Sequence, residues 1–324
     1  VKVIIPVAGI GTRLRPHTHT EPKALLYVAG KPLLGHILDS IMGIDFDEIT
    51  FVVGFLGDKI IEFVKDQYSF KANFVRQDQI LGLGYAIKLG IREEENDDLL
   101  ILLGDTIIET DLTDFVSLNK NLLGVKPVDN PRRFGVAEVD GDKILKLWEK
   151  PQNPPSNLAL VGLYYIKDTP LFKKCLEEMI SSNIKTQDEY QVTDALQLML
   201  EKGAEMYTHK IEGWYDCGKS ETLLKTNRHL LENCDICQPA IEGSVVIPPV
   251  FIDKTAEIES SIIGPYTSVA AHTRITNSII SNSIISFGAT VRHGLLEGSL
   301  VGNHAIVKGN FRRLNVGDSS EISY

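Results

Sequence analysis

The sequence predicts two domains of different class, a doubly wound α/β domain with a mixed sheet and then a short parallel β-helix. Three observations predict it. Up to about residue 105, short apolar runs alternate with segments of helical length and spacing, the pattern of a sheet covered by helices on both faces. From Val246 onward, aliphatic residues recur every five or six positions among small and polar ones, as in stacked triangular coils built of hexapeptides. A chain of 324 residues with 43% hydrophobic content is long for one core and sufficient for two.

Taken in order, residues 3–7, 49–53, 72–75 and 99–103 are apolar enough for buried strands. Residues 32–42, 57–65 and 82–91 between them have helical spacing. Residues 122–166 hold longer, alternating strands that extend the sheet with mixed direction. Helices are expected over 171–180, over 192–200, where Thr193 and Asp194 offer capping side chains, and over 220–231. The first domain is expected to span residues 1–233 and the second 242–324. In the second, Val246, Ile252, Ile258, Ile263, Val269, Ile275, Ile280, Ile285, Val291, Leu296, Val301 and Val307 are read as inward corners of slightly under four coils.

The first strand runs directly into V-A-G-I-G-T-R-L-R-P-H-T-H-T-E-P-K, residues 7–23. Closely spaced glycines let backbone N–H groups approach a ligand, and Arg13, Arg15 and Lys23 add positive charge, which together suit a phosphate. Glycines after a strand also make ordinary tight turns. No Gly-Lys-Ser/Thr closes the loop as in a Walker motif, and Leu14 occupies the place of the third glycine of a dinucleotide fingerprint.

In doubly wound sheets ligands sit beyond the carboxyl ends of the strands, where two further polar segments fall. Gln77 supplies an amide that both donates and accepts, five residues before Gly82, a combination suited to a pyrimidine edge and equally to a solvated helix start. Asp105 follows the run Leu99–Leu103 at a strand end, where a carboxylate is either a turn residue or an oxygen ligand for Mg²⁺. Asp216, within Gly213-Trp-Tyr-Asp-Cys-Gly218, is the second candidate of this kind. The adjacent pair Glu149 and Lys150, stopped by Pro151, is by itself an ordinary solvated strand end.

The residues Gly9-Ile10-Gly11-Thr12-Arg13-Leu14, then Pro16, then Pro22-Lys23, resemble the signature loop of the sugar-phosphate nucleotidylyltransferases. Asn130-Pro-Arg-Arg-Phe-Gly-Val-Ala137, Trp148-Glu-Lys-Pro151 and Ser156-Asn-Leu-Ala-Leu-Val-Gly-Leu-Tyr-Tyr165 are similar to the long-form glucose-1-phosphate thymidylyltransferase branch of that family, and Glu189 to Asp194 matches its pattern before a helix. Ala8 departs from it, standing where many members have glycine. The resemblance implies a Rossmann-like catalytic domain followed by a left-handed β-helix. It implies transfer of a nucleotidyl group from dTTP or UTP to a sugar 1-phosphate, of which glucose 1-phosphate is the expected one, with Mg²⁺ as cofactor and pyrophosphate as product. Residue by residue, it assigns Ala8, Gly9, Gly11, Thr12, Arg13, Gln77 and Gly82 to the nucleotide. Gly135, Glu149, Lys150 and Gly162 go to the sugar phosphate, Asp105 and Asp216 to the metal, and Arg13, Lys23 and Lys150 to catalysis. Two other readings attach to the same pairing of domains: a regulatory subunit without turnover, and acetyl transfer by the β-helix with His272, His293 or His304 as base.

Composition narrows the partners. Lys plus Arg number 33 against 43 for Asp plus Glu, and the net charge of −10 argues against a general nucleic-acid binder, so anionic substrates must be held by a local cationic cluster. No apolar run is long enough to span a bilayer, no basic leader with an apolar signal region opens the sequence, and a cytoplasmic enzyme is expected. Four cysteines in such a chain suit reduced thiols. Cys234-Asp-Ile-Cys237 has zinc-knuckle spacing without a second ligand pair and reads as a linker. The short solenoid leaves faces and ends that favour a homo-oligomer.

Overall fold

The computed structural model describes residues 1–233 and 240–309, which divide into two compact units: Val1–Leu26 with Lys31–Leu223, and Tyr27–Gly30 with the chain from Leu224 onward. The segment Cys234–Cys237, expected to be a linker, lies outside the described residues.

A nine-stranded mixed sheet organises the first unit. Its order is Ala72–Arg76, Glu48–Val53, Lys2–Val7, Leu99–Leu102, Leu158–Ile166, Leu122–Pro127, Tyr207–Lys210, Lys143–Glu149 and Gly135–Asp140. The first four strands are parallel. Leu99–Leu102 and Glu48–Val53 are buried throughout, as strands covered on both faces must be, which is why they read as continuous apolar runs. The helices between them present apolar residues at helical spacing: Leu33, Leu34, Ile37, Leu38 and Ile41 on Leu33–Ile41, and Ile60 and Val64 on Gly57–Gln67. From the central strand Lys2–Val7 the chain first builds outward to Glu48–Val53 and Ala72–Arg76, then crosses back to Leu99–Leu102 on the other side. That reversal opens a crevice beyond the carboxyl ends of Lys2–Val7 and Leu99–Leu102.

Glu48 is the one acidic residue inside these parallel strands, 1% exposed at its side chain. Burial alone would raise its pKa, but Arg92, Lys71, Asn73 and Lys2 all bond the carboxylate and hold it down to about 2.

Beyond Leu102 the sheet becomes mixed, with Leu158–Ile166 antiparallel to both Leu99–Leu102 and Leu122–Pro127. Its register shifts between Leu160 and Tyr164, around Gly162 at φ +86°. The helix Val192–Glu201 forms where expected but is not capped by Thr193 or Asp194: Gln191 holds the N-cap position without a side-chain bond, and both polar residues lie inside the helix. They are used elsewhere.

The second unit is a left-handed β-helix. Among its described residues, twelve short strands stack into three parallel four-stranded sheets. Every aliphatic residue of the expected series lies in its core or packs on it. They sit on the flat strands rather than at corners. The corners go to residues that tolerate a left-handed backbone, among them Ser260, Asn277 and His293 on one edge and His272, Gly288 and His304 on another. No helix of the described residues is long and apolar enough to cross a membrane.

Candidate active site

The site begins where Lys2–Val7 ends. Gly104 packs so closely on this strand that a Cβ there would lie 2.2 Å from Val7, and its N–H bonds the Pro6 carbonyl. The two strand ends therefore meet, carrying the glycine loop and Asp105 to one place. Gly11 adopts φ +68°, and the Thr18 hydroxyl donates to its carbonyl at 2.8 Å, which folds the loop back on itself. Lys23, only 7% exposed, extends to Asp105 with its Nζ 2.5 Å from Oδ2. Thr106 donates to the other carboxylate oxygen at 3.1 Å.

Asp216 reaches the same place by strand pairing. Gly213–Asp216 runs antiparallel to Thr106–Glu109 with Asp216 opposite Thr106, and the Cys217 N–H bonds the Asp105 carbonyl. A side chain on Gly218 would meet Asp216 Oδ1 at 2.9 Å and Arg13 Nη2 at 3.0 Å, so this glycine leaves room for the carboxylate and the guanidinium together. Asp105 and Asp216 are hard oxygen donors on facing strand ends with cations at hand. This donor set suits Mg²⁺, which takes one or two carboxylates and completes its shell with water and substrate oxygens. No group of three acidic, histidine or cysteine side chains is gathered for a metal among the described residues.

Two cavities flank this centre and share Leu83, Leu103 and Asp105. The smaller, about 330 Å³, is lined by Ala8, Gly9, Gln77, Gly82 and Glu189. Gln77 is buried, its amide nitrogen donating to the Gln79 carbonyl. Gly82 stands at φ +113°, clamped by Tyr190: the Tyr190 N–H bonds Leu81, and the Gly84 N–H bonds the Tyr190 carbonyl. A Cβ at position 82 would lie 2.6 Å from that carbonyl oxygen.

The larger cavity, about 620 Å³, is lined by Arg13, Gly135, Glu149, Lys150, Gly162 and Asp216 among others. Gly135 pairs with Glu149 across neighbouring strands, and a Cβ there would strike the Glu149 carboxylate and Thr193. Thr193 donates to Glu149 Oε2 at 2.7 Å, which fixes the carboxylate and explains why this threonine does not cap its helix. Lys150 lies 3.3 Å from the other Glu149 oxygen, on a backbone at φ +41°. Gly162 bonds Leu103 through its carbonyl, and a Cβ on it would overlap the Leu103 side chain. The structure thus brings together Ala8, Gly9, Arg13, Gln77, Gly82, Asp105, Gly135, Glu149, Lys150, Gly162 and Asp216 along one crevice. Gly11, Thr12 and Lys23 line neither cavity; Lys23 acts on the crevice through Asp105.

Sequence reading left several lining residues without a role. The segment from Gln187 to Thr193 touches both cavities, Glu189 in one and Gln187, Gln191 and Thr193 in the other. Trp214 lines the larger cavity with its indole N–H buried and unpartnered within the protein, and Asp194 Oδ2 is buried in the same condition. An unsatisfied buried donor beside a cavity is costly unless a ligand meets it. Burial also pushes the Asp194 carboxyl above the usual carboxylate range, against the hydrogen bond from Thr186. The available signal was the position of Trp214, two residues before Asp216.

A Rossmann-like sheet whose crevice pairs split carboxylates with cations and two cavities defines a nucleotidyltransferase of the sugar-phosphate type. The chain belongs to the nucleotidyl transferase family, whose model matches residues 2–233. It is 32% identical to glucose-1-phosphate thymidylyltransferase of Streptomyces antibioticus, over 99% of both chains. It is 31% identical to the low-salt glycan biosynthesis nucleotidyltransferase Agl11 of Haloferax volcanii, again over 99% of both. The bifunctional protein GlmU of Methanocaldococcus jannaschii is 35% identical over 78% of this chain and 60% of its own. Among solved structures, a UDP-glucose pyrophosphorylase complexed with UDP-glucose superposes with a TM-score of 0.62 at 26% identity, covering 72% of this chain and 99% of that one. A putative glucose-1-phosphate thymidylyltransferase from Bacillus anthracis gives 0.63 at 25% identity, covering 73% and 97%.

Proposed function

We propose that the protein is a cytoplasmic enzyme that transfers a nucleotidyl group from dTTP or UTP to glucose 1-phosphate, forming the nucleoside diphosphate sugar and pyrophosphate. The observation that carries this reading is the pair of cavities joined at Asp105, one suited to a base and the other to a sugar phosphate. In the first, the Gln77 amide and the side-chain-free approach at Gly82 match the adjacent N–H and carbonyl groups of a pyrimidine. In the second, Glu149 accepts from sugar hydroxyls, the Trp214 N–H finds its acceptor on the sugar, and Lys150 meets the sugar's phosphate.

The sugar phosphate is largely dianionic at neutral pH, so its oxygen attacks the α-phosphorus without a general base. Alignment and charge neutralisation are what the residues must supply. Lys150 neutralises the sugar's phosphate as it approaches, Lys23 acts through its ion pair with Asp105, and Arg13 stabilises charge on the departing pyrophosphate. Asp105 and Asp216 would hold Mg²⁺, which supplies Lewis-acid stabilisation of the triphosphate. Residues 1–233 carry this chemistry in our reading, and residues 242–324 serve assembly or regulation.

The test is a panel of nucleoside triphosphates against sugar 1-phosphates, read by pyrophosphate release. dTTP or UTP with glucose 1-phosphate is expected to give the highest kcat/KM. Tight binding of these nucleotides with no turnover on any sugar phosphate would replace this reading with a regulatory one.

A further inference from the structure

The carboxylates of the crevice are matched by cations. Lys23 lies on Asp105, Arg13 Nη2 and Asp216 Oδ1 both approach Gly218, and Lys150 stands 3.3 Å from Glu149. Lys150 therefore meets a ligand as half of a neutral pair, whereas a sugar 1-phosphate is largely dianionic at neutral pH. Neutralising that dianion takes further positive charge from the walls of the larger cavity. Two more arginines stand in its lining, Arg132 and Arg133. Both are exposed, and neither pairs with a carboxylate among the described residues.

Backbone pairing sets Arg133 beside Lys150. The strands Gly135–Asp140 and Lys143–Glu149 are antiparallel with Gly135 opposite Glu149, and the Lys150 N–H donates to the Phe134 carbonyl at 3.0 Å. The residue before Phe134 thus comes to the same strand end as Lys150. Its side chain is held by its neighbour: the Arg133 guanidinium carbon lies 5.4 Å from the centre of the Phe134 ring, within cation–π range. Phe134 in turn meets Trp214 edge to face at 4.9 Å, and Trp214 carries the unpartnered indole N–H. Arg132 sits differently. It precedes Arg133 in the single turn Pro131–Arg133, where successive side chains diverge by about 120°. It lines both the cavity and an open depression of about 830 Å³ outside it, walled by residues 128–131 and 154–157.

We propose that Arg133 is a second cationic ligand of the acceptor's phosphate, gripping it together with Lys150, and that Arg132 stands at the mouth and draws the dianion in, an assignment that rests on reading the larger cavity as the sugar phosphate's. A guanidinium offers parallel N–H donors to two phosphate oxygens and so fixes the orientation of the group, which a lysine point charge does not. Its stacking on Phe134 holds that fork in place before the ligand arrives. Arg132 acts at longer range, raising the rate of encounter through a field that salt screens.

The test is steady-state kinetics of the intact protein with Mg²⁺, dTTP or UTP and varied glucose 1-phosphate, each variant compared with wild type at low salt and at about 1 M salt, where the screening length falls to about 3 Å. Arg133→Ala is expected to raise the KM for glucose 1-phosphate at least about tenfold at both salt concentrations, with the nucleotide KM moving less than about twofold. Arg133→Lys keeps the charge without the fork and is expected to recover part of the loss. Arg132→Ala is expected to lower kcat/KM about threefold at low salt and to match wild type at high salt. Melting transitions establish that each variant is folded. Lys150→Ala is the control. An unchanged sugar-phosphate KM in Lys150→Ala overturns the reading of the larger cavity itself, whereas a raised KM there with an unchanged one in Arg133→Ala overturns the role of Arg133 alone. A loss in Arg133→Ala that vanishes at high salt makes Arg133 a steering charge and overturns the contact. Wild-type kcat/KM of Arg132→Ala at low salt overturns the role of Arg132 at the mouth.

Discussion

At the scale of single residues, the roles separate by what each side chain touches. Asp105 and Asp216 are held on facing strand ends, so Asp105→Asn and Asp216→Asn are each expected to reduce turnover to near background with the fold intact. Full activity of either variant at limiting Mg²⁺ would remove that residue from the metal site. Arg13→Ala is expected to lower kcat by roughly 10² to 10³, and Lys150→Ala to raise the KM for sugar phosphate more than that for nucleotide. The reverse pattern of KM effects would mean that the two phosphates are exchanged. Trp214→Phe keeps the ring and removes the buried donor, and is expected to raise the sugar-phosphate KM about fivefold with little change in nucleotide KM. Gly9, Arg13, Gln77, Gly82 and Asp105 stand out in the sequence because glycines and polar residues cluster after strands, whereas Gly135, Glu149, Lys150 and Gly162 stand out only through the family resemblance. Thr193 was misread as a cap, because a hydroxyl at a helix start has two uses and only the proximity of Glu149 across the sheet decides between them. Gly162 was assigned to the sugar, and its geometry adds a backbone duty: it carries a register shift that L side chains resist.

At the scale of elements, the apolar runs and helical spacing located the four parallel strands and the helices named from them to within a few residues, whereas Thr106–Glu109, Leu112–Ser117, Tyr207–Lys210 and Gly213–Asp216 gave no such signal. Long-range pairing was not legible. Nothing in the local pattern places Gly213–Asp216 against Thr106–Glu109, or Tyr190 against Gly82, since each partner's backbone requirement is satisfied by any extended neighbour. The Tyr190 clamp is itself testable. Gly82→Ala puts a Cβ against backbone at φ +113° and is expected to cost about 2 kcal/mol in chemical denaturation while raising the nucleotide KM. A variant as stable and as tight for nucleotide as wild type would show that the clamp does not shape the base cavity. The buried strand Glu48–Val53 sets an acid limit. The Glu48 pKa is depressed from its ordinary value of 4.5 to about 2 in the folded state, so its contribution is present above about pH 4.5 and is lost as pH falls toward 2. Glu48→Gln is expected to destabilise the protein by about 3 kcal/mol at neutral pH, leaving its cations unpaired, and to flatten the acid limb of the melting profile.

At the scale of the whole molecule, sequence period alone distinguished two architectures, because a hexapeptide repeat and an α/β alternation bury apolar residues at incompatible spacings. The proposed division of labour predicts that a chain ending at Asn233 keeps measurable transfer while its association state changes. A well-folded but inactive product would instead make the β-helix part of the active site. Direct transfer of a nucleotidyl group is read from the fate of the α-phosphorus. With dTTP or UTP labelled at that phosphorus and glucose 1-phosphate as acceptor, label is expected in the nucleoside diphosphate sugar, with none on the protein and none transferred by Asp105→Asn. Label retained in the triphosphate, or trapped covalently on the wild-type chain, would contradict it.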